Sequence, residues 1–310
     1  MLFDAVRGAA NSLFTQNNGL EGTPNAYGKL DAFNSDGFTV APGSSDSSNV
    51  NTNNATYAAW CWDAGNDANP VSNTDGSITS SVRANPSAGF SIVSYTGTGS
   101  NATVGHGLNA ALDFIIIKRR NTTGEWRCWH SALSSTQGID LNSTGAAFTD
   151  DSFNNTIPTS SVFTVKGGVA NVNATSSTYL ALCFSAVAGY SAFGEYTGNG
   201  NANGPFVYTG FRPQWVMLKE AETTGANNPW FILDLPRGDY NGGYSNYLMA
   251  NEAYAENNYG GSLGQGTIID ILSNGFKLRG NGTTNNNNNK QHIYIAFAEN
   301  PFQANGGLAR

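Results

Sequence analysis

The chain repeats itself, and the repeat constrains the fold more than any single motif does. Tyr95-Thr96-Gly97-Thr98-Gly99 returns as Tyr196-Thr197-Gly198-Asn199-Gly200, and Phe114-Ile115-Ile116-Ile117-Lys118 returns as Trp215-Val216-Met217-Leu218-Lys219, both 101 residues on. Tyr179-Leu180-Ala181-Leu182-Cys183-Phe184 and Tyr294-Ile295-Ala296-Phe297-Ala298-Glu299 read as matching ends, with a third at Tyr57-Ala58-Ala59-Trp60-Cys61-Trp62. Phe3-Asp4-Ala5-Val6-Arg7-Gly8 copies Leu233-Asp234-Leu235-Pro236-Arg237-Gly238, so the first copy opens at mid-repeat. About two and a half copies follow one another, each long enough to bury its own core.

Within a copy, short apolar runs alternate with Gly/Asn turns, and helical periodicity is nearly absent. That pattern predicts an all-β fold of tandem antiparallel β-sandwich domains. A jelly-roll form is favoured over an immunoglobulin-like one, because no Cys…Trp…Cys spacing occurs. The expected division is an incomplete first repeat over 1–65, a linker over 66–88, a second repeat over 89–187, a third over 188–303 and a tail over 304–310. A short link near Ala186 to Gly189 separates the two full repeats. The half copy lacks the strands equivalent to 89–126, which would leave open edges. A longer natural chain cut at an internal Met is the favoured explanation, ahead of strands from a neighbour or packing onto the next domain.

Composition narrows function. Only 12% of residues are charged, while 37 are Gly, and 17 Phe, 13 Tyr and 6 Trp argue for a packed fold over disorder. The net charge is −7 and the sole basic cluster is Lys118-Arg119-Arg120. No nucleic-acid partner is expected, since such binding needs clustered cations. No membrane insertion is expected, since no apolar run reaches spanning length, and the N-terminus lacks a signal-peptide pattern. Three cysteines make no disulfide framework. Cys61 and Cys183 are read as buried free thiols at equivalent strand positions, aligned with Ala298, and a Cys61–Cys183 bridge is the alternative.

The candidate ligand-binding residues are Trp126, Trp129, His130, Trp230, Asp234 and Arg237. By period two, Trp126 and Trp129 point to opposite faces, one into the core and one outward. An outward aromatic beside polar groups suits a sugar. Asp234/Arg237 repeats Asp4/Arg7, either as an ion pair that fixes the fold or as a polar anchor. His130 stands where the middle copy should have the Asp. Asp63, Asp67 and Asp75 are the sole hint of a cofactor, Ca2+, and they match no calcium loop. Isolated histidines at 106, 130 and 292 do not have zinc-ligand spacing. Carboxylates are scattered, so the chain reads as a non-enzyme, with a glycan depolymerase as the catalytic alternative. Asn285 to Asn289 reads as a mobile hairpin tip.

Several stretches together resemble a family of virion proteins from marine tailed phages, including cyanophages and pelagiphages. They include Phe3 to Gly8, Ser35 to Val40, Tyr57 to Trp62, Phe90 to Gly99, Gly105 to Leu108, Phe206 to Lys219 and Ile295 to Phe302. The resemblance implies tail- or fibre-associated proteins with concanavalin/laminin-G-like sandwiches, located at the virion surface. The expected role is host attachment through surface polysaccharide, with avidity from repeated weak sites. Expected partners are that polysaccharide, other virion proteins and further copies of the chain, a homo-oligomer such as a trimer. A purely structural fibre spacer or capsid decoration protein is the alternative.

Overall fold

A computed structural model describes residues 1–23, 26–65, 69–223, 228–238, 241, 245–256, 268–282 and 284–299. Among them the strands are β1 (Leu2–Asp4), β2 (Gly8–Leu13), β3 (Lys29–Asn34), β4 (Gly37–Ala41), β5 (Val71–Asn73), β6 (Ser80–Asn85), β7 (Phe90–Thr96) and β8 (Ala102–Gly105). They continue as β9 (Phe114–Arg119), β10 (Trp126–His130), β11 (Gln137–Asp140), β12 (Phe148–Thr149), β13 (Val162–Val165), β14 (Thr178–Phe184) and β15 (Ser191–Thr197). The last are β16 (Phe206–Tyr208), β17 (Pro213–Glu220), β18 (Phe231–Asp234), β19 (Tyr247–Met249), β20 (Ile269–Leu272), β21 (Gly275–Leu278) and β22 (Gln291–Ala298). One helical turn, α1 (Ala170–Asn173), and one 3-10 turn, Leu235–Arg237, interrupt them.

The all-β expectation holds. The larger sheets run β12-β11-β10-β9-β14-β7-β6-β5 and β15-β22-β17-β18-β19, with smaller sheets β13-β8 and β16-β21-β20. The chain divides into two compact units. One holds Met1–Ala111, Ile116–Trp126 and Ser152–Cys183, and the other holds Leu112–Ile115, Arg127–Asp151 and Phe184 onward. Residues 127–151 of the middle copy therefore belong with the third copy.

In the second unit, the five-stranded sheet faces the three-stranded one across a shared core. Val216, Leu218 and Phe231 come from one sheet, and Val207, Ile269 and Phe276 from the other. The three-stranded sheet alternates: Phe276 and Leu278 are fully buried and Lys277 between them is not. Each such aromatic or aliphatic side chain contributes about 2–3 kcal/mol by leaving water. In the first unit, Tyr95 stacks on Tyr179 at 5.1 Å and meets Phe163 edge-on at 6.2 Å.

The Tyr-Thr-Gly-x-Gly repeat now has a physical account. The Tyr95 hydroxyl donates to the Val172 carbonyl at 2.7 Å, and that of Tyr196 to Asn285 at 2.6 Å. The next residue, Asn173 or Asn286, accepts from the turn N–H of Thr98 (2.8 Å) or Asn199 (2.9 Å). A Cβ on Gly97 or Gly198 would lie 2.3 or 2.2 Å from a carbonyl oxygen, so only glycine lets the strands approach.

Several expectations are corrected. Asn285 and Asn286 are buried, and Asn286 clamps a turn, so this run is no loose hairpin tip. The end of the third copy is aligned two residues too late in the sequence reading. Hydrogen bonds match Val172 with Asn285, Asn173 with Asn286 and therefore Tyr179 with His292. Phe163 to Tyr179 and Phe276 to His292 are then equally spaced, at 16 residues. The counterpart of Cys183 becomes Ala296, and both are fully buried. Val71 to Asn85, within the expected linker, supplies β5 and β6, while Asn66, Asp67 and Ala68 lie outside the described residues. Tyr57 to Trp62 forms no strand and Cys61 is exposed; Cys61 and Cys183 are both free thiols, so the bridge does not exist. Residues 300–310 lie outside the described residues.

Candidate functional site

The sequence-selected residues are brought to similar places by the repeat, but not to a surface. Trp126, Trp129 and Trp230 are all buried. All five residues of β10 are buried, so period two sends neither Trp126 nor Trp129 to solvent. The Trp126 indole donates to the Phe14 and Asn17 carbonyls at 3.1 and 3.0 Å, and that of Trp230 to the Asp140 carbonyl at 3.1 Å. Neither ring face is open to stack on a sugar.

Asp234 and Arg237 form the ion pair that their spacing predicts, Nε to Oδ2 at 2.7 Å, and Arg237 Nη1 reaches Glu256 at 2.6 Å. Asp4, Arg7 and Glu21 repeat the arrangement, with Arg7 Nη1 at 3.0 Å from Glu21. Asp4 Oδ1 accepts from the backbone N–H of Val6 at 3.0 Å, ending the strand in a turn. In the middle copy His130 replaces the carboxylate: its Nδ1 accepts from Ala132 N–H at 3.0 Å, so Nε2 carries the proton and donates to the Tyr294 carbonyl at 3.1 Å. Burial lowers its pKa to about 4, which keeps the ring neutral. These groups are used in holding turns.

A further constellation recurs that sequence reading missed. Lys118 is buried and its ammonium donates to the carbonyls of Asn18 (3.1 Å) and Gly124 (2.7 Å). Lys219 does the same with Thr144 (3.1 Å) and Asn228 (2.6 Å). Desolvation lowers these pKa values to about 8 and about 7. Each Lys-Trp pair is thus capped by main-chain oxygens from a loop of the copy before it. The basic cluster is turned inward: Arg119 binds the Ser177 hydroxyl and Arg120 grips Glu21 through Nε (2.7 Å) and Nη2 (3.0 Å).

The exposed aromatics lie elsewhere. In β16, Val207 is in the core while Phe206 and Tyr208 on either side are 46% and 66% exposed. Phe206 pairs across the sheet with Lys277, and Lys277 pairs with Asp270, which binds Arg279. The Phe206 ring crosses Gly275: a Cβ there would meet the ring at 3.1 Å and the Val207 carbonyl at 2.0 Å. One outer face therefore carries two exposed aromatic rings beside Lys277, whose ammonium donates to the Gly204 carbonyl at 2.7 Å, and Arg279, which is held by the buried Asp270. By register the middle copy has Thr103, Gly105 and Thr164 at the matching positions, with no aromatic. The Phe206-Val207-Tyr208 alternation was the available signal.

The first unit carries an open hollow of about 450 Å³ lined by hydroxyls, among them Ser72, Ser81, Ser94, Thr96 and Thr178. No carboxylate or histidine lines it. Asp63 caps the Gly65 N–H and meets Asn85, and Asp75 meets Asn73; Asp67 lies outside the described residues. Among the described residues no three His, Cys, Asp or Glu side chains gather as metal ligands. No helix among them is long and apolar enough to cross a membrane.

Fold and site together define a class: an antiparallel β protein of tandem repeats, in which a loop from one copy caps the buried Lys-Trp pair of the next. A family model described as a domain of unknown function (DUF7483) matches residues 1–301, and the chain belongs to that family. No curated protein and no solved structure matches it.

Proposed function

We propose that this chain is a non-catalytic attachment module of a phage virion, of tail-fibre or adhesin type, that binds host-surface carbohydrate. The observation that carries the reading is the exposed Phe206–Tyr208 pair beside Lys277 and the Asp270–Arg279 pair. Aromatic rings cover the apolar face of a sugar, and the charged groups select hydroxyls or acidic substituents. The site replaces the six residues selected from sequence, whose three tryptophan rings are buried and whose His130, Asp234 and Arg237 are bonded within the fold. The resemblance to marine phage virion proteins supplies the setting, a concanavalin-like sandwich at the virion surface, with other virion proteins and further copies of the chain as partners. Repetition on a fibre would raise weak single-site affinity by avidity.

The test is binding of fluorescently labelled protein to marine bacterial cells and their extracted polysaccharides. Strain-selective binding, competed by free polysaccharide, is expected to weaken by roughly tenfold, about 1.4 kcal/mol, for Phe206→Ala or Tyr208→Ala. Shortening of the polymer would favour the depolymerase. Absence of binding to every strain, with the protein folded, would leave the structural spacer, which the loop-on-next-copy construction favours.

A further inference from the structure

The loop that follows β2 and the loop that follows β11 do the same job in this chain. Residues 14–18 offer carbonyls to Trp126 and Lys118, and Glu21 donates its N–H to the Arg120 carbonyl at 2.8 Å. Residues 140–144 do the same for Trp230 and Lys219, and Ala147 donates to Ala221 at 2.9 Å. Side chains add to this last contact in one case: Glu21 pairs with Arg120, while Ala147 and Ala221 carry no charge and meet through the backbone.

The third copy builds the same hairpin. Ile232 pairs with Leu248, as Leu2 pairs with Leu13 and Cys128 with Ile139. By that register Met249 stands for Phe14 and Asp140, Ala253 for Asn18 and Thr144, and Glu256 for Glu21. The Arg237–Glu256 pair, a copy of Arg7–Glu21, confirms the alignment. Here, though, residues 253–256 are exposed, and the Glu256 side chain is 42% exposed where that of Glu21 is 17%.

We propose that loop 249–256 is a docking arm for a second copy of this chain, and that it seats on the Lys118, Arg120 and Trp126 of that copy in place of residues 14–21. Charge selects the site. Glu256 is paired with Arg237 as Glu21 is with Arg7, and the second cation that Glu21 binds is one that Arg120 provides and its counterpart Ala221 does not. Donor and acceptor are different surfaces, so the contact is head-to-tail and builds a ring or an open array. In a lone molecule the tethered loop 14–21 holds the acceptor at high effective concentration.

The inference does not depend on carbohydrate binding. Glu21→Lys places a third cation beside Arg7 and Arg120 and releases the chain's own loop. In sedimentation velocity this variant is expected to associate at concentrations at least tenfold lower than the parent. Adding Glu256→Lys is expected to restore the parent behaviour. A folded Glu21→Lys chain that sediments like the parent, or association indifferent to residue 256, overturns the proposal. Should Glu21→Lys not fold, cysteine trapping decides. The Asn18 side chain lies 3.3 Å from Glu125, so with a thiol oxidant such as diamide, which drains the fraction whose own loop is displaced, Ala253→Cys in one chain and Glu125→Cys in another should accumulate a mixed disulfide in a Cys61→Ser background. Absence of that dimer from the folded mixture overturns the proposal, as does a dimer that survives Glu256→Lys.

Discussion

Asn286 is the side chain whose removal tests the account of the repeat most directly. It is fully buried; its Oδ1 accepts from Asn199 N–H at 2.9 Å. Its Nδ2 faces three acceptors, Asn199 Oδ1 (3.1 Å), Asn201 O (2.8 Å) and Gly280 O (2.8 Å). Two amide protons can serve two of these well, so about three good bonds are made. At about 1 kcal/mol net each, with some cost for the turn groups left unpaired, Asn286→Ala should destabilise by about 3–4 kcal/mol. Asn173 makes two such bonds, to Thr98 N–H (2.8 Å) and Ser100 O (2.6 Å), so Asn173→Ala should cost about 2 kcal/mol. Urea unfolding followed by tryptophan fluorescence measures both. With a slope of about 2 kcal/mol per M, the midpoints should fall by about 2 M and about 1 M. Asn286→Asp sets a carboxylate against three acceptors and should be worse than Ala at neutral pH. A loss below about 1 kcal/mol for Asn286→Ala, or an Asp variant as stable as the parent, would refute the claim that this amide holds the turn.

Other outcomes can be checked with similar means. Acid should weaken the second unit: His130 and His292 both have pKa values lowered to about 4 by burial, below the ordinary 6.5. The unfolded chain binds more protons between those values, so stability is intact above about pH 6.5 and falls toward pH 4, by roughly 3 kcal/mol per ring. Melting across that range measures the slope, and His130→Gln should reduce it by about half. Trp230→Phe keeps most of the packing but removes the indole donor to the Asp140 carbonyl, which keeps the Ser143 N–H at 3.3 Å, so a loss of about 1 kcal/mol is expected, readable in the same urea series. Of the three thiols, Cys61 alone is exposed, and burial raises the pKa of Cys128 and Cys183. A thiol reagent should therefore titrate one cysteine rapidly in the native protein and all three in denaturant.

What the sequence disclosed, and what it hid, follows from which atoms carry the information. The strand-pair Phe114 to Lys118 with Trp126 to His130, and its copy at Trp215 and Trp230, were legible because apolar runs and turn residues mark them directly. The two-residue error at the end of the third copy was invisible to patterning, because a slip of two returns every side chain to the same face. Trp126 and Trp129 misled for a related reason. Period two predicts one outward side chain where a strand has a wet face, and β10 is buried on both. The loop that caps Lys118 and Trp126 could not be found by residue type, since the acceptors are carbonyls of Phe14, Asn17 and Asn18 that any residue would supply. The one side-chain trace it leaves is the pairing of Glu21 with Arg120, set against the uncharged Ala147 and Ala221.

Several of the chain's few charges are taken up in the same construction. Lys118 and Lys219 are fully buried, and Asp4, Arg7, Arg127 and Asp234 are nearly so. A buried ammonium is costly to keep unless its protons meet acceptors, and here each meets two main-chain carbonyls. Replacing such a lysine by an apolar residue would remove the desolvation cost but also the reason for the loop to sit where it does. Charge in this fold therefore specifies which loop meets which strand more than it adds stability. Glu256, exposed and held by Arg237, is the one member of the repeated Asp-Arg-Glu sets that still presents its carboxylate to solvent. On this logic Lys118→Met removes the desolvation cost but also the donor to the Asn18 and Gly124 carbonyls, so it should not raise the melting temperature of the first unit, and it should loosen residues 14–21. Hydrogen exchange at the Glu21 N–H reads that loosening directly, and unchanged protection there would show that packing alone places the loop.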